Sequence, residues 1–240
     1  MNSASQSAQF PTTQWGRVTA AGDPAAPEAR AALEDLCKAY WYPIYALIRR
    51  RGHSPDDACD LTQDYFTRLL EKPVIARADR TKGRFRAFLK TDCQHCLLDQ
   101  GRRNRVRSTV LKTLSIDGVD AENRYRFEPA DAMTPERIFD RTSAMTMLER
   151  VLGLLEQEYA ANGREDVFDR LKVVLTRGKG AVPAAELATQ LATTEGAVNT
   201  AAHRLKKRYR AILQQEIAST LDDPAEVDEE IRWLFEAIRS

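Results

Sequence analysis

Apolar residues recur at three- and four-residue spacing along most of the chain, and no segment sustains period-two alternation. That pattern predicts an all-α protein. Between residues 28 and 51 the stripe is Leu33, Leu36, Cys37, Tyr40, Ile44, Leu47 and Ile48. Pro43 is expected to kink or split this helix, because it removes a backbone N–H and crowds the preceding turn. The aromatic cluster Tyr40, Trp41, Tyr42 and Tyr45 fits core packing at this spacing, with base stacking as the alternative. Gly52 closes the helix, and Ser54-Pro55-Asp56-Asp57 opens another with a capping serine, a proline at the first helical position and acids in the first turn. This second helix runs to about Glu71 with Ala58, Leu61, Tyr65, Phe66 and Leu69 inward. A loop over residues 72–84 precedes a helix from near Phe85 past Asp99, whose apolar side is Phe85, Phe88, Leu89, Cys93, Cys96 and Leu97.

Periodicity is lost over residues 108–133, which reads as a linker between two domains. Thr134-Pro135-Glu136 starts a long helix through Phe139, Met145, Leu148, Leu152 and Leu155, ended by Asn162-Gly163. Asp166 to Thr176 reads as one further helix. The stretch from Pro183 to Ile212 reads as two helices joined by a tight turn, with Val198, Ala202, Leu205, Tyr209 and Ile212 on one stripe and Thr193 or Thr194 as cap. A short acidic amphipathic helix follows Pro224, carrying Val227, Ile231, Leu234, Phe235 and Ile238. The expected organisation is a mobile arm (residues 1–27), an N-terminal domain (28–107), the linker (108–133), a C-terminal domain (134–220) and an acidic extension (221–240).

Charge changes the picture through its distribution. Lys plus Arg number 36 against 35 Asp plus Glu, a net +1 over 240 residues. Within that balance, Arg102, Arg103, Arg105 and Arg107 form one basic run and Arg204 to Arg210 another, while residues 222–236 are acidic. Asp57, Asp60 and Asp64 fall at spacings of three and four, so one arc of the second helix is a carboxylate stripe. Such a stripe serves either as a solvated face or as a docking surface for a basic partner. On the second helix of the pair, Gly196, Asn199, Thr200, His203, Arg204 and Lys207 lie opposite the apolar stripe. A polar helix start followed by cations suits a helix that meets base edges first and phosphates later.

Other chemistries find little support. Cys37, Cys59, Cys93 and Cys96 are too scattered for a disulfide framework, and Cys93-Gln94-His95-Cys96 lacks a second ligand pair at zinc-finger spacing. No metal or other cofactor is expected. There is no GxxxxGK[ST] or HExxH, and the histidines are only His53, His95 and His203, so no enzyme is expected. No apolar run approaches bilayer length and the N-terminus lacks a signal peptide pattern, which predicts a soluble, cytoplasmic protein without membrane contact.

Three segments in order carry a family resemblance. Pro55-Asp56-Asp57-Ala58-Cys59-Asp60-Leu61-Thr62-Gln63-Asp64-Tyr65-Phe66, then Phe85-Arg86-Ala87-Phe88-Leu89 through Asp99 to the arginine run, then Glu186-Leu187-Ala188 through Glu195-Gly196-Ala197-Val198 to His203-Arg204-Leu205 together resemble bacterial RNA polymerase sigma factors of the extracytoplasmic-function type. The resemblance implies a non-catalytic protein that binds core RNA polymerase and directs promoter-specific initiation. Asp57, Asp60, Gln63 and Asp64 would meet the β′ clamp helices, and the β flap would be a further polymerase contact. Arg84, Arg86, Lys90, His95, Arg102 and Arg103 would hold the minus-ten element, with residues 72–84 rimming a pocket for a flipped base. Thr194, Glu195, Asn199, Thr200, His203, Arg204 and Lys207 would serve the minus-thirty-five element through a helix-turn-helix. An anti-sigma or other regulatory protein is a possible partner. Relatives often carry Gly where this chain has Ala192, and Lys or Arg near Asn199 and Ala201. A helix-turn-helix regulator that never engages polymerase is the alternative. The acidic extension is expected either to cover the cations Arg204 to Arg210 or to pack on the C-terminal domain through Leu234 and Phe235.

Overall fold

The structure is a computed structural model that describes residues 29–71, 74–75, 84–100, 118–128, 133–176, 182–218, 221 and 223–239. These residues are mostly helical, joined by short turns, with no strand among them. The helices are α1 (Ala29–Arg50), α2 (Pro55–Glu71), α3 (Phe85–Gln100), α4 (Gly118–Arg126), α5 (Pro135–Ala161), α6 (Glu165–Leu171), α7 (Val173–Thr176), α8 (Ala184–Gln190), α9 (Glu195–Ala218) and α10 (Val227–Arg239). A short 3-10 turn, Pro224–Glu226, leads into α10. No described helix is long and apolar enough to cross a membrane.

The chain divides into two compact units. One draws on described residues up to Ser143 and from Ala218 onward, and the other is Ala144–Ile217. The expected boundaries do not coincide with this division. It falls inside α5, where unbroken helical periodicity gives the sequence no boundary signal. The acidic extension groups with the N-terminal residues, not with the C-terminal unit where both sequence readings had placed it.

In the first unit α1 is the central element. Every residue from Trp41 to Ile48 is buried, with Ile44, Tyr45, Ala46, Leu47 and Ile48 fully enclosed. Burial on all sides is what a helix apolar around its whole circumference requires. It also accounts for Pro43, which sits inside a continuous helix instead of splitting it. Surrounding packing holds the helix across the missing hydrogen bond. Trp41 stacks on Tyr45 with ring centroids 5.4 Å apart, so these aromatics are core members and not a stacking platform for bases.

Around α1 pack Ala58, Tyr65, Phe66 and Leu69 of α2, Leu89, Cys93 and Cys96 of α3, and Ile138 and Phe139 of α5. Val74 and Ile75, inside the expected loop, also join this core. Helix α4 lies within the stretch expected to be linker. Glu122 fixes it to α1, accepting from Tyr45 Oη at 2.7 Å and from Arg49 Nε at 2.9 Å. Glu128 extends the clamp, accepting from Tyr42 Oη at 3.0 Å and from Arg141 Nε at 3.2 Å.

The second unit buries Val151 and Leu155 of α5, Phe168 and Leu171 of α6, Leu187 and Ala188 of α8, and Val198, Leu205, Ile212, Leu213 and Ile217 of α9. Lys172 interrupts the expected helix over residues 166–176, giving the separate α6 and α7. Ion pairs Arg150–Glu216 at 2.7 Å and Arg208–Glu158 at 2.8 Å tie α9 to α5.

Candidate nucleic-acid and partner interfaces

Helix α2 begins as its sequence dictates. Ser54 Oγ accepts from the Asp57 backbone N–H at 3.1 Å and donates to Asp57 Oδ2 at 2.8 Å. This cap is worth about 1 kcal/mol. It also gives Asp57 a structural task at the helix start. Ala58, Thr62, Tyr65, Phe66 and Leu69 are buried. Asp60 and Gln63 are exposed, and Asp57 and Asp64 are half-buried. The carboxylate arc therefore has a solvent-facing centre. Thr62 was missed as a core residue: its hydroxyl donates to the Ala58 carbonyl at 2.7 Å, which lets a polar side chain sit fully buried.

The cations of α3 are committed within the protein. Arg84 Nη1 lies 2.6 Å from Glu226 and Arg84 Nε lies 3.3 Å from Glu230. Arg86 forms a two-pronged pair with Glu230, and its guanidinium sits 3.4 Å from the Trp233 ring centroid. Lys90 Nζ lies 2.9 Å from both carboxylate oxygens of Asp140. His95 is exposed. Its neighbours Cys93 and Cys96 point into the core, and burial pushes the Cys93 thiol up to about 12. They pack as small apolar groups. Arg102, Arg103, Arg105, Arg107 and most of the expected base-pocket rim (residues 72, 73 and 76–83) lie outside the described residues.

Helices α8 and α9 are joined by the turn Leu191 to Thr194. The Thr193 N–H reaches the Ala188 carbonyl at 2.9 Å and the Ala192 N–H reaches Thr189 at 3.3 Å, the paired bonds of a left-handed helix stop. Ala192 holds that stop at φ 48°, a conformation glycine adopts without penalty. The turn thus keeps a glycine-type geometry despite its alanine. Thr194, not Thr193, caps α9, with its Oγ1 3.2 Å from the Ala197 N–H. Thr194, Glu195, Asn199, Thr200, His203, Arg204 and Lys207 are all exposed on one side of α9, while Val198, Leu205 and Ile212 are buried on the other. Arg208, between them, pairs with Glu158. A cleft of about 500 Å³ runs beside the start of α9, with Tyr159, Arg164, Val167, Leu191, Thr200 and Arg204 in its lining.

Sequence reasoning also missed the inward role of Glu230 and Ala237 on α10. It expected Leu234 and Phe235 to face inward; Leu234 is buried, on one stripe with Glu230 and Ala237, whereas Phe235 is 45% exposed. Glu230 at the start of an otherwise apolar i, i+4, i+7 stripe was the available signal. Comparison with protein-family models, with curated proteins and with solved structures returned no match.

Proposed function

We propose that the chain is a sigma factor of the extracytoplasmic-function type, without catalytic activity of its own. It would bind core RNA polymerase and direct initiation at promoters with minus-ten and minus-thirty-five elements. The observation that carries the reading is the presence of two outward polar helix faces of opposite character in one chain: the acidic arc of α2 and the polar-then-cationic face of α9. Asp60 and Gln63, exposed on that arc, would meet the basic β′ clamp helices. The exposed start of α9 offers Asn199 and Thr200 to base edges, and Arg204 and Lys207 to phosphates, in the order a major-groove helix uses. The α8–α9 pair would be the helix-turn-helix, and contact with the β flap and a cytoplasmic location follow from the same reading.

A DNA-binding regulator would share α9 but has no use for the acidic arc. Charge reversal separates the two readings. Asp60→Lys is expected to weaken binding to bacterial core RNA polymerase roughly tenfold or more, with duplex DNA binding unchanged. Unchanged polymerase affinity with DNA binding retained would favour the regulator.

A further inference from the structure

Helix α10 and its leading turn set carboxylates on the same arginines that the start of α3 would offer to DNA. Glu226 and Glu230 sit one helical turn apart, and between them they engage both Arg84 and Arg86. Arginine holds phosphates through this same charge and forked geometry. Trp233 covers the plane of the Arg86 guanidinium, as a stacked base would. We infer that α10 is an intramolecular stand-in for nucleic acid, and that DNA reaches Arg84 and Arg86 only by displacing it. This inference rests on the proposed DNA-binding role of α3.

The contact is built to be all-or-none. Glu230 is 7% exposed at its side chain, so it cannot lose both arginines and stay where it is without leaving a buried charge unpaired. Leu234 and Ala237 are buried on the same stripe, and Arg141 donates to the Ile238 carbonyl near the helix end. The helix therefore leaves as one element or not at all, which gives two discrete states. Because α10 belongs to the same chain, it competes at the effective concentration of a tethered ligand. The free protein is thus held in the covered state, and binding energy from elsewhere in a larger assembly is needed to open it.

The test uses the intact chain carrying Glu226→Gln together with Glu230→Gln, which keeps side-chain size while removing the charge and one acceptor oxygen from each. Binding to a short labelled single-stranded DNA is measured over a salt series, with thermal unfolding followed alongside. The variant is expected to bind about tenfold more tightly at low salt, with a salt slope steeper by about 1 to 1.5, as two added phosphate contacts require. Trp233→Ala, which leaves the charges alone, is expected to move affinity the same way by a smaller factor. It decides the question should the double variant fail to fold. Equal or weaker binding by a folded variant, with the parent chain binding measurably, overturns the covering role and leaves α10 a structural brace. Absence of DNA binding by parent and variants alike overturns the covering role together with the DNA-binding role of α3, while leaving the polymerase contact of α2 to its own test.

Discussion

Two cationic surfaces were nominated for DNA, and the structure treats them differently. At the start of α3, Arg84, Arg86 and Lys90 are each paired with a carboxylate that arrives from α10, its leading turn or α5. On α9, His203, Arg204 and Lys207 stand exposed beside Asn199 and Thr200. Both surfaces look alike as runs of residue types, an aromatic or polar spacing threaded with arginine and lysine. They differ in what the fold returns to them. A cation count locates positive charge but says nothing about whether that charge is already spent inside the protein. On the proposed reading, α9 would meet phosphate as it stands, whereas α3 would need α10 to move first.

The largest expected effect sharpens this contrast through stability. Arg86→Ala removes the main partner of buried Glu230 and is expected to cost about 2–4 kcal/mol in urea unfolding. Arg204→Ala is expected to leave the unfolding midpoint in place and instead weaken duplex DNA binding, lowering the salt slope by about 1. Equal stability losses at the two sites would erase the distinction.

An intermediate effect concerns the clamp on α1. Hydrogen bonding from Arg49, aided by Tyr45, holds the Glu122 carboxyl below the ordinary carboxylate range. A depressed folded-state value means the stabilisation is complete above that range and is lost as pH falls through and below it. Glu122→Gln is therefore expected to cost about 1–2 kcal/mol near neutrality. The gap between parent and variant should close on acidification, read from denaturation at a series of pH values. A gap that stays constant with pH would separate the clamp from the charge on Glu122.

The smallest effect concerns the turn before α9. Ala192→Gly relieves a left-handed alanine and is expected to add about 1 kcal/mol of stability. A loss of stability would mean that the alanine methyl contributes packing that outweighs its backbone strain.

What could be read in advance was local. The start of α2 follows from Ser54, Pro55, Asp56 and Asp57, all within four residues, and the stop and restart around Ala192 and Thr194 follow from short-range capping rules. The helix faces of α2 and α9 were legible because periodicity reports burial directly, as Tyr65 and Leu205 show. What could not be read depended on distant partners. Glu230 meets Arg86 across 144 positions, and Glu122 meets Tyr45 across 77. Helix α4 is short and polar, so it owes its place to Glu122 and the buried Ala121 more than to any apolar stripe. Its acid in the first turn and arginines in the last were the available hint of a helix within the presumed linker.

Transcription in vitro tests the central claim most directly. Bacterial core RNA polymerase is supplied with this chain and genomic DNA, and the 5′ ends of the transcripts are mapped. The proposed role predicts discrete start sites that depend on the added chain, preceded by shared elements near minus ten and minus thirty-five, and lost with Asp60→Lys. Transcripts no different from those of core polymerase alone would contradict it.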